Sequence, residues 1–483
     1  MRNLITIVIL FIGCSTSFGQ IKFFNLYTNN GSDQGQGIVQ LEDSSYVITG
    51  SSSSFTGSAQ AFLMKIDSLG NYIWSNHYGG AESESGRRVL YKKGFGYFIC
   101  GFTNSFGAGD FDNYLVKVDE NGIFEWEKSY GGTGWERVHD AALTRDTGTI
   151  MVGETSSNET DNQDIYIVRT DIQGDTLWTK TIGGTGADIA TCIKAYTDST
   201  FVVGGQTYVE DSLLTKGYMI HLHEDGTILW ESTFGANGDY WVGDFVFNGP
   251  IMAGIGGTVG DLTDDVDLFI FTHYMDGVFG GGYNVLYEGD ADGKSMVRFG
   301  ATNDYYLGFH AINQFTYDNG SDINISKHLQ TGLAWEETIP IGFENPDVIG
   351  DMIPTSDNGA IMVGYTTGVI SGGNEIFVAK IGPNDDYPFI DNSSTQNVVA
   401  LDEITVLHDW RIYPNPAETF VNVSTDNINY TYVRLYNSLG ELAAQHDFSM
   451  KQKIDVSALN AGLYLIEIGG ENLTPSRSQL IVK

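Results

Sequence analysis

Between residues 85 and 130 apolar and polar side chains alternate with a period of two, broken at glycine-bearing turns. SGRRVLYKKG (85–94) alternates and then turns, and GYFICGFT (96–103) is apolar on both faces. DNYLVKVDENG (112–122) alternates and ends in a second turn, after which IFEWEKSY (123–130) alternates again. Successive side chains of a strand point to opposite faces, so Phe124, Trp126, Lys128 and Tyr130 share one face and Glu125, Glu127 and Ser129 the other. The pattern predicts four short antiparallel strands, the second buried on both sides.

The unit recurs. Trp74, Trp126, Trp178 and Trp230 are each 52 residues apart, and Trp335 lies close to two periods further on. An apolar–apolar–glycine signature returns at Gly50, Gly101, Gly153, Gly204, Gly254, Gly308 and Gly364, at intervals of 50–56 residues. Glycine makes up 60 of the 483 residues and proline only 9, which suits many strands joined by tight turns. Four strands repeated at this period describe propeller blades. The tryptophans then pack blade on blade, and Gly131–Gly132 passes the chain from one blade's outer strand to the next blade's inner one. IKFFNLYTNN (21–30) matches a fourth strand, whereas the seventh unit has only three. The first strand is therefore expected to complete blade seven and close the circle without an open edge. The repeat resembles the long Gly- and Trp-marked units of seven-bladed propellers in secreted bacterial proteins. Its DxxGxxxW spacing (Asp119–Trp126, Asp171–Trp178) is also similar to the tryptophan-docking repeats of quinoprotein dehydrogenases, a likeness confined to the hairpin turn and without a quinone pocket.

Residues 1–19, with Arg2, an apolar run from Leu4 to Ile12 and small residues before Gln20, have the form of a secretory signal. Cys14 offers lipidation as an alternative, against which Phe11 is a poor residue three places upstream. No later apolar run is long enough for a transmembrane segment. Cys100 and Cys192, 92 residues apart, suggest neither a disulfide framework nor a zinc site and read as buried apolar residues. The formal net charge is −36, and residues 410–483 contribute little of it, with six Lys/Arg against seven Asp/Glu. Such a field excludes nucleic acid as a partner and suits cations, neutral glycans or basic partners.

The pattern changes after the blades. Residues 20–389 read as the propeller, 390–409 as a polar linker, and 410–483 as a small β-sandwich with turns at YPNP (413–416), Leu439–Gly440 and Ala461–Gly462. The fold class expected is all-β: a seven-bladed propeller followed by a C-terminal sandwich. In WRIYPNPAETFVNVS, VRLYNSLGELAAQ, IDVSALNAGLYLIEI and the final LIVK, the tail resembles the type A C-terminal sorting domain of the Bacteroidota type IX secretion system. That resemblance implies Tyr413, Pro414, Asn415, Pro416, Gly440, Gly462 and Tyr464 as the sorting signature. It further implies the secretion machinery and its sortase-like peptidase as partners, with a secreted or outer-membrane-surface destination.

Long, acidic loops gather on the face bearing the blade-to-blade links, and ligands are expected there. An acid recurs at the start of the inner strand (Asp33, Glu84, Glu136, Asp188, Asp239, Asp347). A base recurs in the third strand (Lys65, Lys117, Arg169, Lys327, Lys380, with His221 in blade four). Features present in every blade are expected to maintain the blade. Departures from the repeat point instead to Trp135 and Glu136 in blade three, and to Asp239, Tyr240 and Trp241 in blade five, where exposed aromatics beside carboxylates would suit sugar rings. GAGDFDN (107–113) makes Asp110 and Asp112 candidates for calcium, with no other cofactor implied. The expected function is a non-catalytic binding module for a glycan or a surface protein. The competing reading is a polysaccharide-active enzyme, a hydrolase or lyase using carboxylates such as Glu136 and Asp239.

Overall fold

A computed structural model describes residues 23–28, 31–54, 58–157, 162–260, 265–285, 290–299, 304–312, 321–328, 335–341, 346–367, 373–382, 398–400, 410–413, 419–425, 430–437, 442–449, 451–470 and 476–482. The secretory signal, Pro414, Asn415, Pro416 and Gly440 lie outside these residues. Contacts divide the chain into two compact units, residues 1–401 and 402–483.

Among the described residues the first unit contains seven sheets; in six of them four antiparallel strands follow one another in chain order, and the seventh is completed by the first strand of the chain. Blade two is typical: Glu84–Lys92, Gly96–Thr103, Asp112–Val118 and Phe124–Tyr130, from the axis outward. Its second and third strands are almost wholly buried, because each is covered by a neighbouring blade on either face, and its outer strand is half exposed. Apolar side chains fill every seam between blades. Val47 and Leu63 of blade one, for example, meet Val89, Ile99 and Val116 of blade two. Each such buried aliphatic contributes roughly 1.5–3 kcal/mol.

The spacing of 52 comes from how a seam is fastened. The hairpin turns at Gly70, Gly122, Gly174, Gly226 and Gly277 take φ between +76° and +89°, a left-handed conformation that glycine adopts without steric cost. Trp126 of blade two lies against Gly174 of blade three so closely that a Cβ there would come within 2.6 Å of the indole. Beside it the Tyr130 hydroxyl donates to Gly174 O at 2.7 Å, as Tyr78 does to Gly122 O at 2.7 Å. In the next two seams the indoles themselves donate, Trp178 to Glu224 O (3.0 Å) and Trp230 to Met275 O (2.8 Å). Blade five has no tryptophan in its outer strand, Phe279–Val285.

Closure follows the same rule. Phe23–Thr28 pairs antiparallel with Asn374–Ile381, making it the fourth strand of blade seven, and Tyr27 donates to Gly70 O of blade one at 2.6 Å. Val398–Ala400, within the segment expected to be linker, adds a short parallel strand to Phe23–Thr28. The edge of a terminal strand is a template for such pairing.

The second unit is a sandwich. One sheet holds Trp410–Tyr413, Phe420–Thr425 and Lys451–Asp455, and the other holds Leu442–Asp447, Tyr432–Tyr436, Gly462–Gly469 and Ser476–Val482. Val421, Val423, Val433, Leu435, Ile466 and Leu480 form the core between them. Tyr413 ends the first strand and Gly462 begins the strand carrying Tyr464, which is buried and donates to Asn460 O at 3.0 Å.

Candidate functional site: the axial mouth

Every inner strand carries a β-bulge at the same height, interrupting the register between Gly35 and Gly37, Gly86 and Arg88, Val138 and Asp140, Ala190 and Cys192, Val242 and Asp244, Gly293 and Ser295, and Ile349 and Asp351. A bulge leaves one residue unpaired and re-aims it. The seven residues freed in this way are Gln36, Arg87, His139, Thr191, Gly243, Lys294 and Gly350, and all of them line one axial cavity of about 310 Å³. The bulge also explains a periodic glycine. A Cβ on Gly153 would lie 1.8 Å from the carbonyl oxygen of Arg137, and Gly50 and Gly101 face the equivalent carbonyls just as closely. In blades four and five the register gives this role to Gly205 and Gly256 rather than to Gly204 and Gly254.

Just beyond the bulges, ion pairs floor the cavity. Arg88 reaches Asp351 at 2.7 Å and Asp140 at 3.3 Å, and Lys194 reaches Asp244 at 3.0 Å. Burial opposes the Arg88 charge, but Asp351, Asp140 and Asp244 outweigh it and push its pKa up. The three aspartates also accept the main-chain N–H of the following blade: Ile193 to Asp140 (2.9 Å), Met296 to Asp244 (3.0 Å) and Ile38 to Asp351 (3.3 Å). This layer belongs to the scaffold.

Above it, towards the long loops, the mouth is irregular. The Arg137 guanidinium lies 5.0 Å from the Trp135 ring centre, 5.5 Å from Phe111 and 5.9 Å from Phe102, and Arg87 stands 5.2 Å from Phe102. Arg87 donates to Gln36 Oε1 at 3.1 Å, and His139 Nε2 meets Glu154 Oε1 at 3.3 Å. Burial lowers the pKa of Arg87, Tyr365 works against that shift, and the charge of Arg137 adds to it. Burial raises the Tyr365 phenol, and Arg87 opposes the rise. The Nε atoms of Arg87 and Arg137 and one oxygen of Glu154 are buried without a hydrogen-bond partner. Arg87 and Arg137 thus stand near enough for each charge to act on the other, and Glu154 is the carboxylate that favours the charged form of Arg87.

The residues singled out from sequence divide around this mouth. Trp135 and Trp241 are half exposed; Trp135 supports Arg137, and Trp241 lines the cavity with its indole N–H donating to Asp292 at 2.8 Å. Tyr240 is not the exposed aromatic expected: it is buried edge-on against Phe269, because alternation along the strand turns it into the seam between blades four and five. Glu136 is buried and accepts from Gly132 N (2.8 Å) and Thr155 Oγ1 (2.5 Å), as Glu84 does from Gly80 N (3.0 Å) and Thr103 Oγ1 (2.7 Å). Asp239 accepts from Thr215 N at 2.7 Å in another seam, so Glu136 and Asp239 are not brought together as a catalytic pair. The recurring bases pair with acids elsewhere in their own blades: Lys117 with Glu125 (3.0 Å), Arg169 with Asp146 (2.7 Å) and Lys380 with Asp357 (2.9 Å). Asp110 is exposed; Asp112 is buried, accepts from Ala108 N (3.1 Å) and Gly109 N (3.2 Å), and has its pKa raised by burial and by Glu136. Among the described residues no group of three His, Cys, Asp or Glu side chains is placed to hold a metal ion. Sequence reasoning missed Arg87, Arg137, His139, Glu154 and Tyr365. A signal for two of them existed: Arg87 and His139 each stand fourteen residues before a periodic glycine, at the bulge.

Comparison with known proteins supplies the tail's identity. Residues 411–483 match the secretion system C-terminal sorting domain family. An endo-acting ulvan lyase of Formosa agariphila is 32% identical over 88 residues, 18% of this chain and 17% of that protein, so the chain spans under a fifth of that curated relative. Among solved structures, an ulvan lyase of a polysaccharide lyase family, bound to a GlcA(1-4)Rha3S saccharide, is similar at 10% identity with a TM-score of 0.48, covering 75% of this chain and 96% of that one. The WD40 domain of Neurospora crassa Pan2 is similar at 10% identity and a TM-score of 0.42, covering 73% and 97%. No helix among the described residues is long and apolar enough to cross a membrane. With its C-terminal sandwich a secretion system sorting domain, the chain is a seven-bladed propeller delivered by the type IX route to the cell surface or the medium.

Proposed function

We propose that the secreted propeller binds an anionic polysaccharide at its axial mouth. The observation that carries this reading is the Arg87–Arg137 pair, half-buried on aromatic rings with unpartnered Nε donors. Like charges held together away from water raise each other's energy, and an anion entering between them relieves both desolvation and repulsion. Guanidinium groups favour planar carboxylates and sulfates, which they hold by paired hydrogen bonds. Trp135 and Trp241 add apolar faces of the kind against which sugar rings pack. The remainder of a chain of net charge −36 repels a polyanion, so the mouth is the place where such a ligand is tolerated.

The test is calorimetric titration of the full chain with polygalacturonate, alginate and ulvan, each beside its carboxyl-reduced counterpart. Binding to polygalacturonate and alginate should require the carboxylates, and Arg87→Ala or Arg137→Ala should weaken it about tenfold or more, in line with roughly 1.5–3 kcal/mol for a hydrogen bond to a charged group. Binding unaffected by either substitution, or no binding to any polyanion, would refute the reading.

A further inference from the structure

We infer that the axial mouth also cleaves its ligand, by β-elimination at a 4-linked uronic acid, with His139 as the base and Tyr365 as the acid. The inference rests on the anionic-polysaccharide reading above. Arg87, His139 and Tyr365 come from blades two, three and seven and line one cavity, and Arg137 and Glu154 meet them from the side of the long loops. None of the five recurs from blade to blade, and the ion-paired layer beneath them fastens the scaffold without them.

The roles follow from the chemistry. The proton on C5 of a uronate is α to the carboxylate and becomes acidic only when that negative charge is neutralised, which two guanidinium groups on one carboxylate would do. His139 engages Glu154 through Nε2, leaving Nδ1 as the nitrogen free to accept the proton while Glu154 steadies the imidazolium formed. The C5–H bond breaks towards His139, its electron pair forms C4=C5, and the C4–O bond breaks. The departing glycosidic oxygen takes the proton of the Tyr365 hydroxyl, a group that burial keeps protonated. A proton returns from the imidazolium to the phenolate through solvent, and no water, oxidant or metal is consumed.

The experiment incubates the full chain with the same three uronate-bearing polysaccharides and follows the ultraviolet absorbance of the new C4=C5 enoate alongside calorimetric binding. The inference expects absorbance to rise with wild type. Tyr365→Phe and His139→Ala should each lower the rate at least about a hundredfold, the usual worth of a positioned acid or base, while binding persists. Binding with no enoate, or new reducing ends without absorbance, would overturn the elimination and leave the binding reading standing. Failure to bind any of the three would overturn both. An unchanged rate in both variants would overturn the assignment of His139 and Tyr365.

Discussion

A single methyl group tests the bulge that builds the mouth. Gly153 faces the Arg137 carbonyl with no room for a Cβ, whereas nothing lies within 4 Å of the position a Cβ would take on Gly184. Gly153→Ala should therefore lower stability by about 1–3 kcal/mol, the usual cost of overpacking, and Gly184→Ala should leave the melting temperature nearly unchanged. Equal melting curves would mean that the bulge does not need its glycine. His221 tests another feature at this scale. It is buried between Tyr196 and Trp230, whose other face stacks on His273 at 5.2 Å, and burial lowers the pKa of both histidines. The folded state keeps them neutral, and the unfolded chain takes up protons near pH 6.5, so their contribution to stability is lost as pH falls below that value. His221→Phe removes one such penalty. Its melting temperature relative to wild type should rise as pH drops from 8 to 5, and a difference constant with pH would contradict the assignment. The sequence reading that His221 is structural agrees with this packing, and the periodic glycine was legible too. What the glycine faces was not, because a bulge is a relation between two strands.

Strands are fastened by the same few contacts in successive seams, so the consequences of removing one can be ranked. Tyr130→Phe removes the hydroxyl that bonds Gly174 O while preserving the ring, and should cost about 1–3 kcal/mol for the carbonyl left buried. Deleting residues 23–28 removes a whole strand. It uncovers Asn374–Ile381, whose residues are buried almost throughout, and breaks the Tyr27–Gly70 bond across the last seam. We expect aggregation or a fall in melting temperature far beyond that of Tyr130→Phe; a deletion no worse than the point substitution would contradict closure by this strand. Closure was legible in advance, since three strands at one end and a solitary fourth-type strand at the other is a count along the chain. The short strand Val398–Ala400 was not, because three residues carry no period.

At the scale of the molecule, the compact division at residues 401 and 402 and the sorting family matched over 411–483 separate folding from export. Truncation after Leu401 should leave a cooperatively melting propeller that stays in the periplasm of a type IX-competent host, while the full chain reaches the surface or the medium. Fractionation and immunoblotting would decide it, and delivery of the truncated form at the full-length level would show that the tail is dispensable for sorting.

Period-two alternation, a 52-residue return of tryptophan and the blocks of the tail are local or repetitive properties, and the amino-acid sequence by itself determined from them the strands, the blades, their closure and the route of export. The place where chemistry gathers was decided only by tertiary structure. Glu136 looked like a site residue because it stands beside Trp135, yet it is spent on Gly132 and Thr155 in the seam. Arg87, His139 and Tyr365 lie 52 and 226 residues apart along the chain and share a cavity because ring closure brings their blades to one axis and a bulge turns two of them inward. Periodicity reveals what every blade has in common, whereas a site at the axis is composed of what the blades do not share.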